Sequence, residues 1–322
     1  MVDRKIVDME KKIAFVFPGQ GSQAVGMLDA FIDNVVVNST LEEASQAIGF
    51  DIGQMIQMGP KETLALTENT QPVMLTSAIA IYRAWLSAGG TVPQMLAGHS
   101  LGEYTAYVAA GAIGFHDAVP LVKFRATAMQ NAVPVGTGGM AAIVGMTDAQ
   151  VRQLCLDTQA ATGKTVEPVN FNAPSQVVIA GHKEAVDYAC AHAKPAGAKL
   201  AVPLDVSAPF HSSLLRSAAE ELRHYLQNLA MTTPGIPVVN NVDVSVIDDP
   251  IGIKDALIRQ AYSPVRWVET IELMAKQGVT HIVECGPGKV LAGMVKRIDG
   301  NIKIMNIYDP NSISEVLESV NQ

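Results

Sequence analysis

The chain is poor in cysteine, poor in positive charge and free of long apolar runs. Its three cysteines, Cys155, Cys190 and Cys285, stand far apart in 322 residues. They form no C-x-x-C pair and no metal-ligand spacing, so a disulfide framework and a cysteine-held metal are excluded. Buried, reduced thiols are expected, as in a cytoplasmic protein. Lysine and arginine total 23 against 31 acidic residues, a net charge of −8. That balance argues against a general nucleic-acid binder. No apolar run approaches the ~20 residues of a membrane span. Met1 to Lys12 is charged and lacks the apolar segment of a secretory signal. Residues 1–10 read as a leader of no evident function. There is no internal repeat and no low-complexity tract. What the chain has is apolar bulk: hydrophobic residues make up 48% of it. That is enough for one large domain or two smaller ones.

The stretch Ala97-Gly98-His99-Ser100-Leu101-Gly102-Glu103-Tyr104 follows an apolar run and precedes small, helix-favouring residues. It reads as strand, sharp turn, helix. Gly98 and Gly102 bracket Ser100 in the pattern G-x-S-x-G. A nucleophile on such a turn takes strained backbone angles, and flanking glycines let the chain fold back without clashes. The helix beginning there aims N–H groups and its positive end at the site, which suits an oxyanion. By itself the pattern also fits a turn serine that caps the following helix.

Around this stretch the chain reads as α/β. Lys11 to Phe17 is a short apolar strand closed by the glycine-rich turn Pro18-Gly19-Gln20-Gly21-Ser22-Gln23. That turn lacks the lysine of a phosphate-binding loop. It also lacks the third glycine of a dinucleotide fingerprint, since Ala24 stands there. Its place at the carboxyl end of a strand still suits ligand groups. Ser39 to Gly90 has helical periodicity, with breaks expected at Gly49, Gly59-Pro60 and Gln71-Pro72. An amphipathic helix is expected over Pro72 to Ala88, and another over Phe115 to Ala132. Gly136 to Gly139 reads as a flexible junction. Then follow a strand (Met140 to Val144), a helix (Asp148 to Thr158), two strands (Val166 to Ala180), a helix (Lys183 to Gly197) and a strand (Lys199 to Pro203). This βαββαβ order is that of a ferredoxin-like unit. The expected organisation is a discontinuous core, 11–135 and 204–310, with an inserted small subdomain at 136–203. Val279 to Glu284 is a later core strand.

A serine nucleophile needs a base. Of seven histidines, His99 adjoins Ser100 but should point away from its hydroxyl, as a packing residue. His116, His182, His192, His224 and His281 fall on expected helix surfaces or strand ends. His211 follows Pro209-Phe210 just where the chain returns to the core. No acidic residue stands out as a third triad member, and Glu103 reads as a charge complementing the dipole of its helix. Arg125 lies in an otherwise apolar helix. It is either a surface or salt-bridge arginine, or a buried one that needs an anionic partner.

Taken in order, Phe17 to Gln23, Gly98 to Glu103, Arg125 with Met129-Gln130, Asn170-Phe171-Asn172, Pro209-Phe210-His211 and Gly286-Pro287-Gly288 form a set. The set resembles the malonyl-CoA–acyl carrier protein transacylases of type II fatty acid synthesis, and more distantly the acyltransferase domains of polyketide synthases. It runs from about Ile13 to Ile298. The resemblance implies an α/β-hydrolase-like core with a ferredoxin-like subdomain. It implies a Ser100–His211 dyad, with the histidine oriented by a main-chain carbonyl near Gln260. It places the oxyanion hole at the N–H groups of Gln20 and Leu101, and the malonyl carboxylate on Arg125. Gln260 orients that arginine, and Asn170 and Asn172 lie near the pocket lip. The implied partners are malonyl-CoA and acyl carrier protein, with no metal and no cofactor. Lys289, Lys296 and Arg297 form the densest basic group on a mouth element, and Lys296 and Arg297 are the expected carrier-protein contacts. Two other readings share these residues: a thioesterase releasing free malonate, and an idle acyltransferase fold serving as a docking module.

Overall fold

The segment Ile13–Phe17 is apolar at every position because both of its faces are covered. Such a strand belongs in the middle of a parallel sheet with helices on either side. The computed structural model describes residues 11–206 and 208–321; the leader expected at 1–10 lies outside the described residues. The strands, in chain order, are Ile13–Phe17 (β1), Met95–Gly98 (β2), Gly138–Val144 (β3), Val166–Ala173 (β4), Gln176–His182 (β5), Leu200–Pro203 (β6), Val238–Val239 (β7), His281–Cys285 (β8) and Lys303–Ile307 (β9). The helices are Val35–Ile48 (α1), Ile52–Met58 (α2), Lys61–Leu64 (α3), Thr67–Ser87 (α4), Leu101–Ala109 (α5), Phe115–Asn131 (α6), Asp148–Thr162 (α7), Lys183–Ala193 (α8), Arg216–Gln227 (α9), Pro250–Gln260 (α10), Trp267–Lys276 (α11), Val290–Ile298 (α12) and Pro310–Asn321 (α13). Among the described residues no helix is long and apolar enough to cross a membrane.

The first sheet has the order β7-β2-β1-β8-β9 and is parallel throughout. Phe15 and Phe17 pack into the core on one face, with α1, α4, α5 and α6. Ala14 and Val16 face the other core, with Trp267, Ile271 and Leu291. The loops after three adjacent strands, β7, β2 and β1, therefore leave the same edge. This carboxyl edge of a parallel sheet is where such folds gather ligand groups. The second sheet is antiparallel, in the order β4-β5-β3-β6. With α7 and α8 on one face it is the ferredoxin-like unit inserted into the larger α/β core. Its other face packs on Ala128 and Met129 of α6 and on Phe210, so it leans on the histidine loop.

Several expectations are corrected. The break at Gln71-Pro72 is absent: α4 runs through Pro72. A proline so close to a helix start forfeits one backbone bond, and the packing of a helix buried at every position from Thr70 to Tyr82 outweighs that loss. The consequence is that Gln71 sits on a rigid, buried helix. Gly138 and Gly139 are not a flexible junction but the first residues of β3, paired with His182 and Gly181. Helix α7 continues to Thr162, and α8 stops at Ala193 before a turn. Cys155 and Cys285 are buried as expected, but Cys190 is only half-buried. The final helix, α13, adds Ile313 and Val316 to the large core, beyond the expected limit at 310.

Candidate active site

Ser100 stands between β2 and α5 with φ 53° and ψ −106°, a conformation L residues rarely adopt. The flanking glycines do not carry the positive φ; Ser100 does. Their role is close approach. A Cβ on Gly98 would lie 1.8 Å from the carbonyl carbon of Gly102, and one on Gly102 would lie 2.0 Å from the Phe17 oxygen. The helix is thus pressed onto β1 and β2, which drives the serine outward. Such strain, on the order of 1–3 kcal/mol, persists only where neighbours over-determine it. Asn241, from the loop after β7, supplies that hold. Its Oδ1 accepts from Ser100 N at 2.8 Å, and its Nδ2 donates to Gly98 O at 2.8 Å.

Across the turn, Ser100 Oγ donates to His211 Nε2 at 2.7 Å. His211 Nδ1 donates to the Gln260 main-chain oxygen at 2.8 Å, which fixes the tautomer that leaves Nε2 as an acceptor. The histidine has φ 65° and is 4% exposed. Its loop is clamped by Glu167 of β4, whose two oxygens accept from Ser213 N at 2.7 Å and Ser213 Oγ at 2.8 Å. Burial first, and the Arg125 charge second, push the His211 pKa down from 6.5 to about 3. His211 is therefore a neutral imidazole aimed at a serine hydroxyl, the arrangement of a nucleophile with its base.

Arg125 projects from α6 into the same place and is 1% exposed. Its Nη2 donates to Ser100 Oγ at 3.2 Å and to Gln260 Oε1 at 2.8 Å, and its Nη1 to Gln71 Oε1 at 2.7 Å. The Tyr104 ring lies under the guanidinium at 5.1 Å. Burial works against its charge, while Tyr104 and Glu103 favour it. Among the described residues it has no carboxylate in contact. A buried cation held only by neutral acceptors is poised to take an anion, because leaving such a charge unpaired costs on the order of 3–5 kcal/mol.

The backbone N–H groups of Gln20 and Leu101 have no acceptor among the described residues. They lie on the turns after β1 and β2, which run side by side with Phe17 opposite Gly98. Leu101 opens α5, so its N–H also carries the positive end of the helix. His99 points away from the hydroxyl, as expected. Its Nε2 bonds Asn172 Oδ1 at 2.7 Å and its ring packs edge-on against Trp267 at 5.5 Å. Asn172 is thus tied to His99, while Asn170 Oδ1 is buried with no partner among the described residues. Lys296 is exposed on α12. Arg297 is already engaged, since its Nη2 donates to Pro174 O at 2.7 Å and its Nη1 to Gln176 Oε1. Lys289 lies over the Tyr308 ring.

Sequence reasoning missed three members of this site. Gln71 carried no signal beyond a helix break. Asn241 carried none beyond an Asn-Asn pair after a short apolar run. Glu103 was visible three residues after Ser100, but its role differs from the expected dipole complement. It is completely buried. Its Oε2 accepts from Gln260 Nε2 at 2.8 Å and from Asn241 N at 2.9 Å.

Comparison with known proteins places the chain in a family. The family model for the acyl transferase domain matches residues 14–302. The malonyl CoA-acyl carrier protein transacylase of Escherichia coli (strain K12) is 51% identical over 308 residues, covering 95% of this chain and 99% of that protein. The crystal structure of an acyl-carrier-protein S-malonyltransferase from Burkholderia pseudomallei 1710b superposes with a TM-score of 0.94 at 62% identity, covering 95% of this chain and 99% of that one. A malonyl-transacylase solved in complex with a type II PKS acyl-carrier protein superposes with a TM-score of 0.94 at 46% identity, covering 96% of this chain and all (100%) of that one.

Proposed function

The chain belongs to the acyl transferase family, among its malonyl-CoA–acyl carrier protein transacylases, and from that premise we propose which residues carry the transfer. It moves a malonyl group from malonyl-CoA to the thiol of acyl carrier protein. In this reading the malonyl carboxylate docks on the fork of Arg125. His211 takes the proton of Ser100, whose Oγ attacks the thioester carbonyl. The N–H groups of Gln20 and Leu101 hold the tetrahedral oxyanion. Coenzyme A leaves as a thiol with the proton from His211, and a malonyl ester remains on Ser100. The carrier-protein thiol then reverses the sequence, a ping-pong transfer. The core of 11–135 and 204–310 supplies the nucleophile, and the 136–203 unit packs against Phe210 beside His211. The reaction runs in the cytoplasm and supplies malonyl carrier protein for fatty acid synthesis; reduced cysteines support that setting.

The observation that carries this reading is the 3.2 Å between Arg125 Nη2 and Ser100 Oγ. In a malonyl group one methylene separates the carboxylate from the thioester carbonyl. Only a cation this close to the nucleophile can bind the one while the serine attacks the other. Intact-mass measurement after mixing with malonyl-CoA tests it: a malonyl adduct forms in the absence of carrier protein and is discharged when carrier protein is added.

The depressed pKa of His211 has two consequences. Ester formation from malonyl-CoA, followed by rapid quench, will not halve near pH 6.5 as it would with an ordinary imidazole. It will hold to lower pH, since His211 stays neutral until far below its usual value. Substrate binding moves the base the other way, because a carboxylate on Arg125 cancels part of the charge that holds the pKa down. Stability carries the opposite cost. Between 6.5 and about 3 the unfolded histidine binds a proton that the folded one refuses. Its contribution is therefore full above pH 6.5 and erodes as pH falls through that window.

Lys296 is exposed and has no partner among the described residues, which leaves it to meet an acidic carrier protein, and Arg297 contributes by holding the β4–β5 turn beside it. Lys296→Glu is expected to raise the KM for carrier protein about three- to tenfold at low salt, and less at high salt. Ester formation from malonyl-CoA should be unchanged. Equal damage to both half-reactions counts against the docking role.

A further inference from the structure

Arg125 is a buried cation whose nearest buried carboxylate, Glu103, stands one amide away. Between them lies the side chain of Gln260. An amide has one accepting and one donating end, so its neighbours decide which way it faces. Gln260 Nε2 donates to Glu103 Oε2 at 2.8 Å and to the Ser100 main-chain oxygen at 3.0 Å. That leaves Oε1 toward Arg125 Nη2, at 2.8 Å. Were the amide reversed, its NH2 would face the guanidinium, donor against donor. The same Glu103 oxygen accepts from Asn241 N, and the Asn241 side chain spans the serine turn.

We propose that Glu103 is a positioning residue for malonyl selection: as the acceptor that orients the Gln260 amide, it sets the direction of the Arg125 fork and anchors the Asn241 staple on the nucleophile turn. The proposal rests on the malonyl-transfer reading above. In this role Glu103 serves as an acceptor, in either protonation state. Among the described residues its Oε1 has no partner, so a proton there costs neither bond to Oε2. Burial in fact pushes its pKa up to about 7, against the pull of Gln260, Asn241 and Arg125 and with a push from Asp243. Tyr104 and Tyr107, on its own helix, are buried beside it and stay neutral.

Two substitutions separate reach from charge. Glu103→Gln keeps the acceptor at full length and removes the charge. Glu103→Asp keeps the charge and withdraws the oxygens by one methylene, about 1.5 Å. The measurement is the rate of Ser100 acylation in the full chain by malonyl-CoA and, separately, by acetyl-CoA, read by intact mass. Glu103→Gln is expected within about threefold of the wild type on both substrates. Glu103→Asp is expected to slow malonyl transfer about ten- to a hundredfold and acetyl transfer much less, so that the malonyl-to-acetyl ratio falls. A ratio that Asp leaves unchanged overturns the proposal, because a purely structural role slows both substrates alike. Glu103→Gln as impaired as Glu103→Asp overturns it too, since an acceptor at full length would then not be enough. The wild type serves as the separate check: failure to form any malonyl-Ser100 would refute the underlying reading instead.

Discussion

Ser100→Ala will acquire no malonyl group on incubation with malonyl-CoA, while the wild type gains one per chain. The loss is complete because the hydroxyl is the atom that forms the ester; no neighbour can replace it. Removal of a nucleophile in a comparable serine–histidine system costs on the order of 10⁶ in turnover. The fold should survive. Alanine meets the same strain at φ 53° as serine does. The bonds of the turn run through the Ser100 N–H and carbonyl, which alanine keeps. The change in stability is expected within about 1 kcal/mol. Intact mass gives the adduct and a thermal melt gives the fold. A malonyl adduct persisting on Cys155, Cys190 or Cys285 would sink the assignment. Cys285 is a poor rival, since burial and the neighbouring Glu284 hold its thiol protonated.

Arg125→Ala is expected to lose malonyl transfer by ~2–5 kcal/mol, roughly thirty- to several-thousandfold, the cost of deleting one partner of a buried charge pair. The carboxylate would enter a pocket with no cation. It would meet instead the amide oxygens of Gln71 and Gln260, two acceptors left without their donor. Acetyl-CoA brings no carboxylate and should lose far less, so the malonyl-to-acetyl ratio falls steeply. Arg125→Lys provides a graded control: it keeps a charge but replaces the two-nitrogen fork that reaches Gln71 and Gln260 with a single nitrogen. Its malonyl rate should lie between the wild type and the alanine variant. An unchanged preference for malonyl in Arg125→Ala would show that the arginine only supports the fold.

Much of this protein is legible without coordinates, and the legible part is local. The G-x-S-x-G spacing announces a strand, a turn and a helix, because glycines two positions to either side permit the approach that exposes the serine. The apolar run before Pro18 announces a doubly covered strand. The alternation of strands and helices between Met140 and Pro203 announces the ferredoxin-like unit. Each depends on residues within a few positions of one another, whose side-chain period and backbone freedom are properties of the chain itself.

Local reading failed at Gln71-Pro72, where proline argued for a break and buried packing along α4 overrode it. It failed again at Glu103, where a helix N-terminal acid has an adequate local explanation as a dipole partner. Its real neighbours, Asn241 and Gln260, lie 138 and 157 residues away. The pairing of Ser100 with His211 spans 111 residues, and that of Arg125 with Gln71 and Gln260 spans 54 and 135. No spacing rule reaches so far. The order β7-β2-β1 brings the turns of Asn241, Ser100 and Gln20 to one edge. The packing of α4, α6 and α10 then decides which polar side chains meet there. The elements and the serine turn follow from backbone and side-chain preferences over short stretches, so they can be read from the chain. The tertiary structure alone decided which amides and carboxylate surround the buried arginine. A buried polar group must find its partner from whatever segment the core places beside it.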